Sequence, residues 1–321
     1  MVFGDRAVIV WINFKIHDLS AINVSKDWKT QRERSSPLAI AIIRWIALKM
    51  GRPFARFLLY PITLYYLLFS PVQRRASFNY LKRVLGKTPN WFQIAKHIHC
   101  FAATILDRVY FLTGRVEQLD LQFPNKQLAV SYSSNGRGFV LLGSHIGSFE
   151  VLRGVAEKFP VPVKIMMDEE HNKMIVNVLN TLNPSLKDMV ISLGQPDSLI
   201  RARDCLDAGE VVALLGDRVM DSEKTTTCYL LGEPIQVSTA PILLASVLKV
   251  PVIMFFGLYM GRNRYETHFE LLSERVELKR NSRQQDIQRW TQMYVNSMER
   301  YLKRAPYNWF NFYDYWGDEI E

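Results

Sequence analysis

Cysteine is scarce. The 321 residues contain three, Cys100, Cys205 and Cys228, far apart, odd in number and never spaced as C-x-x-C. That argues against a disulfide framework, and a reducing compartment is the simpler expectation. Internal repeats and low-complexity tracts are also missing. Mean hydropathy is −0.04, which excludes a polytopic membrane protein. With 48% hydrophobic and 22% charged residues, the composition excludes disorder and collagen-like architecture. The length suits two domains, or one α/β domain with an appendage, and can bury a substantial core.

Outside one segment, net positive charge is lacking as well. The chain carries 40 Lys and Arg against 31 Asp and Glu, a net +9. Lys26 to Arg83 holds twelve basic residues opposed only by Asp27 and Glu33, hence +10; residues 1–25 balance, so residues 84–321 sum to −1. The basic segment is also very apolar. Residues 37–47 read PLAIAIIRWIA, and Phe57 to Gln73 is a charge-free run of 17 residues interrupted by Pro61 and flanked by Arg56, Arg74 and Arg75. That run sits at the lower edge of the ~20 residues a spanning helix needs. Two readings stand: a pair of core helices, or a hairpin or interfacial helix in a bilayer. In the second, Lys and Arg lie on anionic head groups, each adding roughly 1 kcal/mol of attraction. The coincidence of charge and apolarity favours the membrane. A nucleic-acid arm would interleave its basic residues with polar ones rather than Ile-Leu-Phe runs, so no nucleic-acid partner is expected. The expected organisation is an extension of no assigned role over 1–25, a basic apolar helical region over 26–113, and an α/β domain over 114–321.

Within the last region, helix and strand patterns alternate. Strands are expected at 138–143, 161–167, 189–193, 210–215, 225–231, 251–258 and 266–272. Helices are expected at 147–158, 172–182, 197–207, 238–248 and 284–302, with another at 89–113 before them. Continuous apolar strands separated by helices predict a central, largely parallel or mixed sheet flanked by helices on both faces. In such sheets chemistry gathers at the C-terminal ends of strands.

At one such end the chain reads Gly143-Ser144-His145-Ile146-Gly147-Ser148-Phe149-Glu150. On a continuous helix, His145 and Glu150 would be about 140° out of phase. A bend at Gly147 lets them meet. The expectation is that Glu150 orients His145 and favours its protonated form, making it a general base toward a hydroxyl. The amides of Gly147 and Ser148, near a helix N-terminus, are expected to stabilise developing negative charge. No G-x-S-x-G elbow is present, so direct attack by a substrate hydroxyl is expected, without a covalent enzyme intermediate.

His145-x4-Glu150 after an apolar strand resembles the signature of the glycerolipid and lipid A acyltransferase superfamily. The closer resemblance, over about Trp28 to Trp316, is to the bacterial late acyltransferases of lipid A biosynthesis. It extends to the basic apolar N-terminal helices, Gly216-Asp217-Arg218 after a later strand, and Gly232-Glu233-Pro234. Ser148-Phe149 and Asp217-Arg218 depart from the commoner pattern. They mark a divergent branch, one that acylates a different envelope lipid or attaches an unusual chain such as an aryl polyene.

The resemblance implies transfer of an acyl group from acyl carrier protein, or coenzyme A, to a hydroxyl of a lipid at the cytoplasmic face of the bacterial inner membrane, with no cofactor. His145 would take the proton. Asp217 and Arg218 would bind the acceptor's head or the donor's phosphopantetheine. The basic surface suits an acidic carrier protein. A lipid hydrolase using the same histidine, and a non-catalytic lipid-binding protein, remain open.

Other polar groupings carry less. Asp168-Glu169-Glu170-His171 cannot all face one ion, and His97-x-His99-Cys100 diverges on a helix, so no metal is expected. Arg153 reads as a surface arginine. The aromatic run from Tyr307 to Trp316 has three readings: a lining of the acyl groove, a bilayer contact, or packing against the sheet edge. The last is the safer expectation, because aromatics bury large areas in any case.

Overall fold

The structure, a computed structural model, describes residues 45–152, 162–167, 189–219 and 223–317. The expected helix at 172–182, most of that at 147–158, the loop 168–171, Arg153 and residues 1–44 lie outside these.

Seven strands form the sheet: β1 (Asp120–Gln122), β2 (Phe139–Gly143), β3 (Val163–Met167), β4 (Val190–Ser192), β5 (Val211–Leu215), β8 (Val252–Gly261) and β9 (Arg264–Ser273). Their spatial order is β1-β9-β8-β2-β5-β3-β4. From β8 to β4 all neighbours are parallel. β9 runs antiparallel to β8 and carries β1 parallel to itself. The mixed, mostly parallel sheet expected from the apolar runs is therefore present.

The two-residue period sorts these strands into two cores. Phe139, Leu141, Val211, Ala213, Ile253 and Phe255 share one cluster. Val140, Leu142, Val212, Leu214, Met254 and Phe256 belong to another on the opposite face. The first is covered partly by α5 (Gln127–Ser134). The second receives α6 (Ser198–Asp207), α7 (Ala240–Leu248) and α8 (Arg283–Arg304). Thr225–Leu230, expected to join the sheet, pairs instead with Glu233–Ser238 as a separate hairpin, β6–β7. Leu231 and Gly232 at its tip have φ of 55° and 86°, the left-handed pair a tight hairpin needs. Cys228, Leu230, Ile235 and Val237 turn its inner face into the second core.

The N-terminal apolar run forms α1 (Arg52–Phe57), α2 (Leu59–Phe69) and α3 (Pro71–Leu85), followed by α4 (Trp91–Leu112). Pro61 falls in the first turn of α2, where a missing N–H costs nothing, so it does not break the run. Pro71 starts α3, and the axis turns by 93° there. Among the described residues no single helix is long and apolar enough to cross a membrane. Asn90 and Gln93 close α4 with a reciprocal capping box at 2.9 Å each way. Tyr80 and Leu81 of α3, with Ile94 and Ile98 of α4, join the core behind the sheet.

Four arginines expected on lipid head groups face protein instead. Arg52 grips the fully buried Asp107 with two bonds of 2.8 Å. Arg56 lies 3.6 Å from the same carboxylate and bonds the Tyr259 hydroxyl. Arg74 donates to the last carbonyls of α2, and Arg83 pairs with Glu233 at 2.6 Å. A carboxylate buried in an apolar helix requires cations, which draws the first two inward.

Candidate active site

Gly143 and Leu215 are register partners at the ends of the adjacent parallel strands β2 and β5. Two residues beyond each lie His145 and Asp217. Strand adjacency thus brings together side chains 72 positions apart: His145 Nδ1 is 2.8 Å from Asp217 Oδ1. The His145 backbone N–H donates to Oδ2 at 3.0 Å. Gly143 O, accepting from the Tyr294 hydroxyl at 2.8 Å and from Gly216 N–H at 3.1 Å, ties the two strand ends.

Asp217 is fully buried. Burial alone would raise its pKa, but the charge and hydrogen bonds of His145, with the Arg218 charge, outweigh it and hold the carboxyl well below the usual range. It stays ionised and accepts only, so Nδ1 of His145 carries the proton. Burial, then the charges of Arg218 and Arg108, lower the imidazole pKa, and Asp217 does not fully offset them. At neutral pH the ring is neutral, contrary to the protonated form expected, and the lone pair is on Nε2. That atom makes no hydrogen bond among the described residues, and the side chain keeps 25% of its surface exposed. An oriented, neutral imidazole open at Nε2 can remove a proton from a hydroxyl.

The C-terminal segment walls this pair. Trp309 Nε1 and Asn311 Nδ2 donate to Asp217 Oδ2 at 3.1 and 2.9 Å, and the Tyr315 hydroxyl donates to Asp217 O at 2.7 Å. Phe310 N–H donates to His145 O at 2.9 Å. Arg218 Nε bonds Asn311 Oδ1 at 2.9 Å. The aromatic run does pack into the core, with Trp309 buried and Tyr307, Phe312, Tyr315 and Trp316 against the same cluster; the packing expectation did not include these donors. The signal was two asparagines, Asn308 and Asn311, inside a run otherwise destined for burial.

The expected donors Gly147 and Ser148 are already engaged. Gly147 N–H donates to Asn308 O at 2.7 Å, and Ser148 N–H to Gly257 O at 2.8 Å. Gly147 has φ of +74°, and a Cβ there would stand 1.9 Å from Gly257 O. This glycine is needed for the close approach of β8, and both amides are spent on backbone carbonyls.

Glu150 does not meet the imidazole. Its Oε1 lies 2.5 Å from Arg108 Nε, and its Oε2 accepts from Ser148 Oγ at 3.0 Å. The carboxylate on His145 is Asp217, the residue expected to bind substrate. Of the residues read from the sequence, His145, Asp217, Arg218, Gly147, Ser148 and Glu150 do share one locality, with contacts redistributed among them.

His97 is buried beneath the wall. Burial lowers its pKa to about 4, so its Nε2–H donates to Trp309 O at 2.7 Å while Nδ1 accepts from Ser77 Oγ at 2.8 Å. Burial also pushes the Cys100 and Cys228 thiols up to about 11, which disfavours thiolate chemistry there. Among the described residues, no group of three or more His, Cys, Asp or Glu side chains is placed to hold a metal.

Compared with known families, residues 26–317 match the family described as bacterial lipid A biosynthesis acyltransferase. No curated protein matches the chain.

Proposed function

The chain belongs to the bacterial lipid A biosynthesis acyltransferases and is an acyltransferase, and on that premise we propose that it moves an acyl group from acyl carrier protein, or coenzyme A, to a hydroxyl of an envelope lipid. The observation that carries this reading is the neutral imidazole of His145, held through Nδ1 by Asp217 and open at Nε2. His145 Nε2 takes the hydroxyl proton as the oxygen attacks the thioester carbonyl. The tetrahedral intermediate collapses, the C–S bond breaks, and the imidazolium returns the proton to the departing thiolate. No bond to the enzyme forms. Asp217 keeps the tautomer and stabilises the transient imidazolium, and the nearby Arg218 charge favours the oxyanion.

The family is generally membrane-associated. We place this chain on the cytoplasmic face of the inner membrane, held by an apolar face rather than a span. Phe57, Tyr60, Leu64, Leu68 and Phe69 stand exposed on one side of α1 and α2, while Leu59, Thr63 and Leu67 are buried on the other. Withdrawing those five side chains from water contributes on the order of 5 kcal/mol.

The test offers radiolabelled acyl-acyl carrier protein and envelope lipid to wild type and His145→Ala. Labelled lipid formed only by wild type supports the proposal. Released free fatty acid identifies a hydrolase. Lipid binding without turnover in either protein identifies a binding module.

A further inference from the structure

The carboxylate of His-x4-Glu is occupied away from the imidazole, and its partner has no other evident task. Arg108 comes from α4, where His97, Phe101, Ile105 and Arg108 recur at intervals of three and four and so share one face. His97 bonds Trp309 O, and the Phe101 ring lies 5.3 Å from both Phe310 and Phe312. The stripe therefore follows the segment that walls Asp217, and Arg108 ends it close enough to His145 for its charge to be felt there. A guanidinium presents five N–H donors in a planar fork. Glu150 meets the Nε side. Among the described residues Arg108 has no other ion pair or hydrogen bond, and its side chain is 26% exposed. The terminal N–H groups remain for a second anion.

We propose that Glu150 is a positioning residue for Arg108, and that the Arg108 guanidinium seats a phosphate oxygen of a bound substrate beside His145. The proposal rests on reading the site as an acyl-transfer centre. The phosphate comes from the donor's phosphopantetheine arm or from the lipid acceptor; the fork receives either in the same way.

Kinetics with paired substrates separate the two sources. One pair is acyl-acyl carrier protein against an acyl-N-acetylcysteamine thioester, which lacks phosphate. The other is a phosphorylated glycolipid against its phosphatase-treated form. Arg108→Gln is expected to raise KM roughly tenfold or more for the substrate whose phosphate is seated, and to leave its phosphate-free counterpart unaffected. Arg108→Lys retains part of the effect as a point charge. Glu150→Gln raises the same KM, and adds nothing in the Arg108→Gln background. Binding of the same pairs to the His145→Ala protein provides a readout without turnover. If wild type makes no acyl lipid but Arg108→Gln still abolishes the preference for phosphate-bearing ligands, the reaction reading falls and the seat stands. The seat is overturned if Arg108→Gln affects both members of each pair equally or neither. It is also overturned if Glu150→Gln costs as much in the Arg108→Gln protein as in wild type.

Discussion

Asn308 bonds both backbone groups of Tyr259: its Nδ2 donates to Tyr259 O at 3.0 Å, and its Oδ1 accepts from Tyr259 N–H at 2.7 Å. Its own carbonyl accepts from Gly147 N–H at 2.7 Å. One buried amide thus joins the C-terminal segment to β8 beside the His145 loop. Asn308→Ala strands two buried backbone groups, at about 1–3 kcal/mol each. Urea denaturation should show a loss of about 2–6 kcal/mol. Because the segment also carries Trp309 and Asn311, acyl transfer should fall further than the lost folded fraction explains.

Asp217→Asn removes the charge while preserving the shape of the carboxylate. The Asp217 charge raises the His145 pKa against the larger lowering by burial, so its loss lowers that pKa further. The acid limb of kcat/KM, already below the ordinary imidazole value of 6.5 in wild type, should move to still lower pH. The rate on the plateau should drop by roughly 10³- to 10⁴-fold, because the tautomer is no longer enforced and the imidazolium loses its counter-charge. A pH profile with an unchanged acid limb would show that His145 titrates under other control.

His97 links pH to stability. Its pKa lies near 4 in the folded protein against 6.5 ordinarily, so between these values the unfolded chain binds more protons. Stability from this group is complete above 6.5 and declines as pH falls toward 4. From pH 7.5 to pH 5 the loss is about 2 kcal/mol. His97→Gln lacks this titration, so its stability deficit against wild type should narrow by about that amount over the same interval. A deficit constant with pH would place the titration elsewhere.

Which parts of the site were readable before folding depends on how far apart the partners lie. The strands were legible because β2, β5 and β8 are uninterrupted apolar runs, and His145 was legible because it leaves one of them. Asp217 was also seen at a strand exit. Its role as the partner of His145 requires β2 and β5 to be neighbours, although β3 and β4 intervene in the chain. Local spacing pointed to Glu150 instead, and could not show that Arg108 arrives from α4 to claim it. The inward turn of Arg52 and Arg56 had a readable cue, Asp107 as the only acidic residue of α4. The separate β6–β7 hairpin had one as well, the glycine between its strands.

The apolar face and the buried arginines of α1 and α2 should separate under mutation. Arg52→Gln leaves Asp107 fully buried without its bidentate partner, a change that typically costs about 3–5 kcal/mol. It should unfold the N-terminal helices, lowering the melting temperature and weakening vesicle binding together. Leu64→Glu with Leu68→Glu alters only exposed positions, so melting should stay near wild type. Affinity for vesicles of phosphatidylethanolamine and phosphatidylglycerol should drop by roughly tenfold or more, since each substitution sets a charge where an apolar side chain had left water. Because Arg52 and Arg56 are committed to Asp107, raising the salt concentration should weaken wild-type binding far less than the two glutamates do. Release of wild type by moderate salt alone would place the attachment on charges outside this face.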